Sequence, residues 1–145
     1  MAVEIRRQLE FDAPPERIGD VLVDLDQWPD WFALHKGWAG PVPDQVELGT
    51  TFKHKVRILG VPGEMEWTVD ELVRPWRFHL KGRGTSRTAA EIDFTVSRLG
   101  GASQVALDAK LTGLAIKPFE GLIRPWLEVR VERTVASLRE QLATA

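Results

Sequence analysis

Along most of the chain, apolar and polar residues alternate, as they do in strands with one dry face. Between Glu4 and Phe11, apolar Ile5, Leu9 and Phe11 alternate with Glu4, Arg6, Gln8 and Glu10, and Arg7 breaks the pattern. Phe52, His54, Val56 and Ile58 alternate with Lys53, Lys55 and Arg57. Beyond Gly60-Val61-Pro62-Gly63, Met65, Trp67 and Val69 alternate with Glu64, Glu66, Thr68 and Asp70. These two runs read as a hairpin. Pairing Ile58 with Met65, Val56 with Trp67 and His54 with Val69 puts one face dry, and sets Arg57 against Glu66 and Lys53 against Asp70 on the other. Trp76, Phe78 and Leu80 predict a further strand, ended by a turn over Gly82 to Ser86. Two longer strands follow at Thr88 to Arg98 and Gln104 to Thr112, joined at Gly100-Gly101.

Helical spacing occurs in two places. Ile18, Val21, Leu22 and Leu25 follow Asp12-Ala13-Pro14-Pro15-Glu16, where Pro is tolerated in a first turn and Asp12 can cap free amides. A break and a second short helix follow at Asp26 to Phe32, since Pro29 disfavours helical geometry at Trp28. From Pro118 to Leu142 a stripe of Leu127, Val131, Val135, Leu138 and Leu142 predicts a long helix that Pro125 kinks or interrupts. Pro41 to Gly49 reads as a loop with a short strand near Val46 to Leu48. The order predicts an α+β fold, in which the long helix covers the dry face of an antiparallel sheet. A chain of 145 residues without linker or repeat is expected to form a single domain, 1–145.

Composition narrows the chemistry. A net charge of -2 gives no reason to expect nucleic acid or an anionic membrane as partner. The absence of cysteine excludes disulfides, thiolate nucleophiles and zinc-thiolate sites, and the absence of tyrosine excludes any mechanism that needs its hydroxyl. No apolar run approaches membrane-spanning length, so no stable membrane insertion is expected and the cytoplasm is the expected location. His35, His54 and His79 lack ligand spacing, so neither metal nor cofactor is expected. The scattered serines have no elbow motif or base.

Ala13-Pro14-Pro15-Glu16-Arg17, Leu25-Asp26 and Trp28-Pro29-Asp30-Trp31, with this order of elements, resemble the START-like (SRPBCC) superfamily of helix-grip proteins. That superfamily includes polyketide cyclase/dehydrase-like and lipid-transport proteins. The middle of the chain is similar to an actinobacterial subgroup, some of whose members are labelled toxins of toxin–antitoxin pairs. The resemblance there lies in His35-Lys36-Gly37-Trp38, Pro43-Asp44, Gly49-Thr50 and Gly60-Val61-Pro62-Gly63 leading to Glu66-Trp67-Thr68-Val69. Gly121-Leu122-Ile123-Arg124-Pro125-Trp126 departs from the subgroup, where smaller residues are common.

The resemblance implies a curved sheet of six or seven strands wrapped around the C-terminal helix, with two short helices after the first strand. It implies a pocket, and in itself no reaction. The expected ligand-binding residues are Trp28, Trp31, Phe32 and Trp38 of a lid, with Phe52, His54, Val56, Met65, Trp67, Trp76, Phe78, Phe94, Leu107 and Trp126. Inward aromatics either plug a core or line a cavity, and both readings use the same residues. His54 is open to three roles: a satisfied core histidine, a group orienting a ligand, or a general base. For Arg83, Arg87, Arg124, Arg130 and Arg133, solvation is the cheapest account, and contact with an anion or ligand headgroup is the other. The expected function is binding, transport or sensing of a small hydrophobic or aromatic ligand. A polyketide aromatase/cyclase or dehydratase in the same pocket is the alternative. A toxin-like protein acting through a homodimer or a protein partner is the third reading.

Overall fold

The computed structural model describes residues 3–113 and 116–143. Strand β1 (Val3–Phe11) leads into helix α1 (Pro15–Val23), a 3-10 turn (Leu25–Gln27) and the one-turn helix α2 (Trp28–Trp31). Strands β2 (Gly37–Trp38), β3 (Thr51–Ile58), β4 (Val61–Val73), β5 (Arg77–Gly84), β6 (Thr88–Leu99) and β7 (Ala102–Gly113) follow, and helix α3 (Glu120–Ala143) closes the chain. The seven strands form one antiparallel sheet in the order β1-β7-β6-β5-β4-β3-β2. Helix α3 buries Ile123, Leu127, Val131, Val135 and Leu138 against the inner face. This is the expected helix-grip architecture. No helix among the described residues is long and apolar enough to cross a membrane.

Several local expectations are corrected. The β3–β4 turn is tighter than a four-residue Gly60–Gly63 loop: only Leu59 and Gly60 lie outside the strands, with φ of 51° and 81°. Two positive φ values give a turn whose twist matches that of the flanking strands, and glycine takes the second at no steric cost. Pairing therefore starts at Ile58 with Val61 and runs through Val56–Gly63 and His54–Met65 to Phe52–Trp67. The shift is four residues, an even number, so each side chain keeps its face but gains a different neighbour. Opposite charges still meet outside, as Lys53–Glu66 and Lys55–Glu64. At Asp70 the β4–β5 register slips, so that Leu72 rather than Glu71 pairs beside inward Phe78.

The turn expected over Gly82 to Ser86 is partly strand, because β5 runs to Gly84. A Cβ on Gly82 would sit 2.7 Å from Trp67 Cζ3 and 2.9 Å from Met65 Sδ. Glycine here admits bulky neighbours to the backbone and does not signal a turn. Helix α1 takes Pro14 as N-cap with no side-chain cap, so Asp12 does not play that part. Trp28 adopts helical angles (φ -53°, ψ -42°) despite preceding Pro29. Pro125 lies within an unbroken α3. No strand forms at Val46 to Leu48, while Gly37–Trp38 form the short edge strand β2.

Candidate functional site

Two spaces lie between the sheet and the helices. An inner cavity of about 60 Å³ is lined by α2, α3 and the inner faces of β3 to β7. An outer cleft of about 630 Å³ opens between the β3–β4 hairpin tip, the Thr85–Arg87 turn and the start of α3. Val56, Ile58 and Met65 belong to both walls. The inner cavity has room for only a few waters, whereas small-molecule pockets run to ~300–1,000 Å³. Of these two spaces, the cleft falls in that range. Its banks are apolar and exposed: Val61 is 67% accessible, Leu122 63% and Phe119 51%. In the Thr85–Arg87 turn, Ser86 and Arg87 both hold positive φ, a strained conformation for residues other than glycine.

Of the expected ligand-binding residues, Trp28, Trp31, Phe32, Val56, Met65, Trp67, Phe94, Leu107 and Trp126 lie on the inner wall. Five other expected residues line neither space. Phe52 and Trp38 pack against Trp28, with ring centroids 5.0 Å and 6.5 Å away. Phe78 stacks on Phe94 at 6.3 Å. Trp76 precedes β5 and is 38% accessible, with the Arg98 guanidinium 6.0 Å from its ring. His54 is fully buried.

The surroundings of His54 determine its protonation. Trp67 Nε1, which can only donate, lies 2.8 Å from His54 Nε2. His54 therefore carries its proton on Nδ1 and donates it to His35 Nδ1, 2.9 Å away. His35 in turn keeps its proton on Nε2, so both rings are neutral. Burial, and secondarily His35, pushes the His54 pKa down to about 3, while burial also lowers that of His35. A histidine with both nitrogens engaged and no contact with either space is a core residue joining β3 and β4 to the segment after α2. The structure thus gives neither the base nor the ligand-orienting reading its geometric support.

That segment is the expected lid, and it is packed down. Trp28 is 1% exposed, donates from Nε1 to Leu22 O at 3.0 Å, and meets Trp31 and Phe32 edge-on at 5.4 Å and 4.9 Å. Ala33 N donates to Thr134 Oγ1 of α3 at 3.1 Å. Periodicity missed the cleft residues Gly63 and Gly84, which lie in β4 and β5, and Thr85, Ser86, Ile116 and Phe119, which come from the turn after β5 and the segment before α3. It also missed the Leu80, Ala90, Ile92 and Leu111 contributions to the inner wall, although their inward parity was readable.

Two buried nitrogens on the inner wall have no acceptor: Trp31 Nε1 and Arg130 Nη1. Arg130 lies along α3 with its guanidinium 5.0 Å from the Trp126 ring.

A family described as polyketide cyclase/dehydrase and lipid transport matches residues 2–143. A Mycobacterium tuberculosis protein named Toxin Rv0910 is 27% identical over 115 residues, 79% of this chain and 80% of the relative. The solved structure of protein CV1439 from Chromobacterium violaceum has a TM-score of 0.78 at 15% identity, covering 99% of both chains. A START superfamily protein from Mycobacterium smegmatis gives 0.77 at 17%, covering 96% of both. At these identities the structural matches speak for the fold alone.

Proposed function

The chain belongs to the polyketide cyclase/dehydrase and lipid transport family, and from that premise we propose that it binds a small hydrophobic molecule in the outer cleft. A lipid, a fatty acyl chain or an aromatic polyketide-like metabolite fits the chemistry of the walls. The observation that carries this reading is an apolar cleft of about 630 Å³ at the grip between hairpin and helix, beside a core otherwise filled with aromatic rings. Burial of apolar ligand surface there gains about 25 cal/mol per Å² before the costs of association. The exposed apolar banks offer such a molecule a surface to meet first.

The test is to purify the full chain without denaturation and identify co-purifying small molecules by mass spectrometry. The wild type is expected to carry a hydrophobic species near one equivalent. A Val61→Trp, Leu122→Trp double variant, which narrows the mouth from both banks, is expected to carry much less. A wild type that is repeatedly empty and takes up no apolar compound on incubation rules the reading out.

A second reading, in which the protein acts on growth through a protein partner, draws on the toxin name of the mycobacterial relative. Growth arrest on expression, relieved by a neighbouring gene product, would support it.

A further inference from the structure

The net charge of -2 averages over two unlike ends of the molecule. In an antiparallel sheet, every second connection falls at the same end. The β3–β4 turn, the Thr85–Arg87 turn between β5 and β6, and the passage from β7 into α3 therefore share one end, and the outer cleft opens among them. Nine large apolar side chains are exposed among the described residues, and four of these, Leu59, Val61, Phe119 and Leu122, line this cleft. Val129 is exposed two turns along α3 from Leu122, on the same side of the helix.

Cations gather at the same end. Arg57 precedes Ile58 on β3, Arg83 precedes Gly84 on β5, Arg87 closes the Thr85–Arg87 turn, and Lys117 opens the 3-10 turn before α3. Arg124, in the second turn of α3, donates to Glu4 O at 3.1 Å. Within these segments only Glu64 and Glu120 oppose them. Arg57, Arg83, Arg87 and Lys117 are exposed and form no ion pair among the described residues, whereas Arg74 and Arg98, at the far end, bond Asp20 and Glu16 of α1. That far end is the acidic one, since residues 12–30 hold Asp12, Glu16, Asp20, Asp24, Asp26 and Asp30 against Arg17. The charge is thus polarised, with its positive pole at the mouth of the cleft. Exposed apolar tips backed by unpaired cations match the surface of an anionic bilayer, where apolar side chains leave water and cations meet lipid phosphate. A folded partner over these tips closes the mouth, while a bilayer over them sets the mouth against a store of apolar molecules.

We propose that this end of the protein docks peripherally on an anionic membrane, with Leu59, Val61, Phe119 and Leu122 among the lipid headgroups and Arg57, Arg87 and Lys117 against lipid phosphates. The attraction acts over about 8 Å at physiological salt, so docking weakens as salt is raised. The docking surface goes beyond the ligand-binding reading and exists whether or not the cleft is filled.

The experiment is co-sedimentation of the full chain with vesicles of phosphatidylcholine alone and of an equimolar mix with phosphatidylglycerol, at low and at high salt. At low salt the wild type is expected to bind the mixed vesicles about tenfold more tightly than the neutral ones, and at high salt to lose most of that preference. An Arg57→Gln, Arg87→Gln, Lys117→Gln variant is expected to lose the preference at low salt as well. Val61→Ser with Leu122→Ser leaves the charge unchanged and is expected to lower binding to mixed vesicles severalfold. Val73→Ser with Leu99→Ser changes a similar exposed pair at the far end and is expected to leave binding as it was. Circular dichroism confirms that each variant is folded. Absence of binding to mixed vesicles, equal binding to both kinds, or equal losses from the two serine pairs overturns the proposal. So does self-association without lipid that Leu122→Ser abolishes, which assigns the patch to a second copy of the chain. A chain that carries a hydrophobic molecule yet ignores vesicles refutes docking alone, and one that binds vesicles but is always empty refutes the ligand reading alone.

Discussion

The two ends of the sheet's inner face are built from the same strands and differ in side-chain volume. At the closed end the inward positions are Phe52 and His54 on β3, Trp67 and Val69 on β4, Phe78 and Leu80 on β5, and Phe94 and Val96 on β6. At the open end the same strands contribute Val56 and Ile58, Gly63 and Met65, Gly84, and Thr88. One end is close-packed around Trp28, and the other leaves a cleft of about 630 Å³. An empty site in this fold is thus made by a gradient of residue size along neighbouring strands, with no special element.

If that contrast is right, the largest stability loss comes from hollowing the closed end. Trp28→Ala removes a ring packed against Trp31, Phe32 and Phe52 together with the bond to Leu22 O. It is expected to cost about 3–5 kcal/mol in urea unfolding. A loss under about 1 kcal/mol would mean that stability does not reside there.

Acid is expected to act next, through His54. Unfolded, the ring takes up a proton near 6.5, and folded only near 3. Below pH 6.5 the unfolded state thus binds more protons than the folded one, so stability falls as pH falls, by about 1.4 kcal/mol per unit, until pH nears 3. Unfolding measured between pH 7 and 4.5 should show this slope beyond that of a His54→Gln variant. Equal slopes would remove His54 as the cause. The smallest effect is expected at the open end, where Leu122→Ser should change stability by no more than about 0.5 kcal/mol. A larger loss would show that the bank of the cleft is part of the core.

Much of the frame was readable along the chain, because a strand with one wet face must alternate and a covering helix must carry a stripe. The inward set from Phe52 to Trp67 kept its face even though the hairpin register moved by four residues, since faces depend only on parity. Partners were not readable. A four-residue turn put Val56 opposite Trp67, where the structure pairs Val56 with Gly63. That exchange hid the size gradient, and with it the cleft. Trp76 shows a second limit, since it shares the parity of Phe78 but sits before the strand begins, with its ring exposed beside Arg98.

By itself, the sequence determined the antiparallel sheet, the long helix, the inward faces and the apolar character of what they enclose, because each follows from local period and residue type. The tertiary structure decided which aromatics plug and which line. It also decided that His54 is spent on Trp67 and His35. Those outcomes depend on distances between residues far apart in the chain, which no local pattern carries.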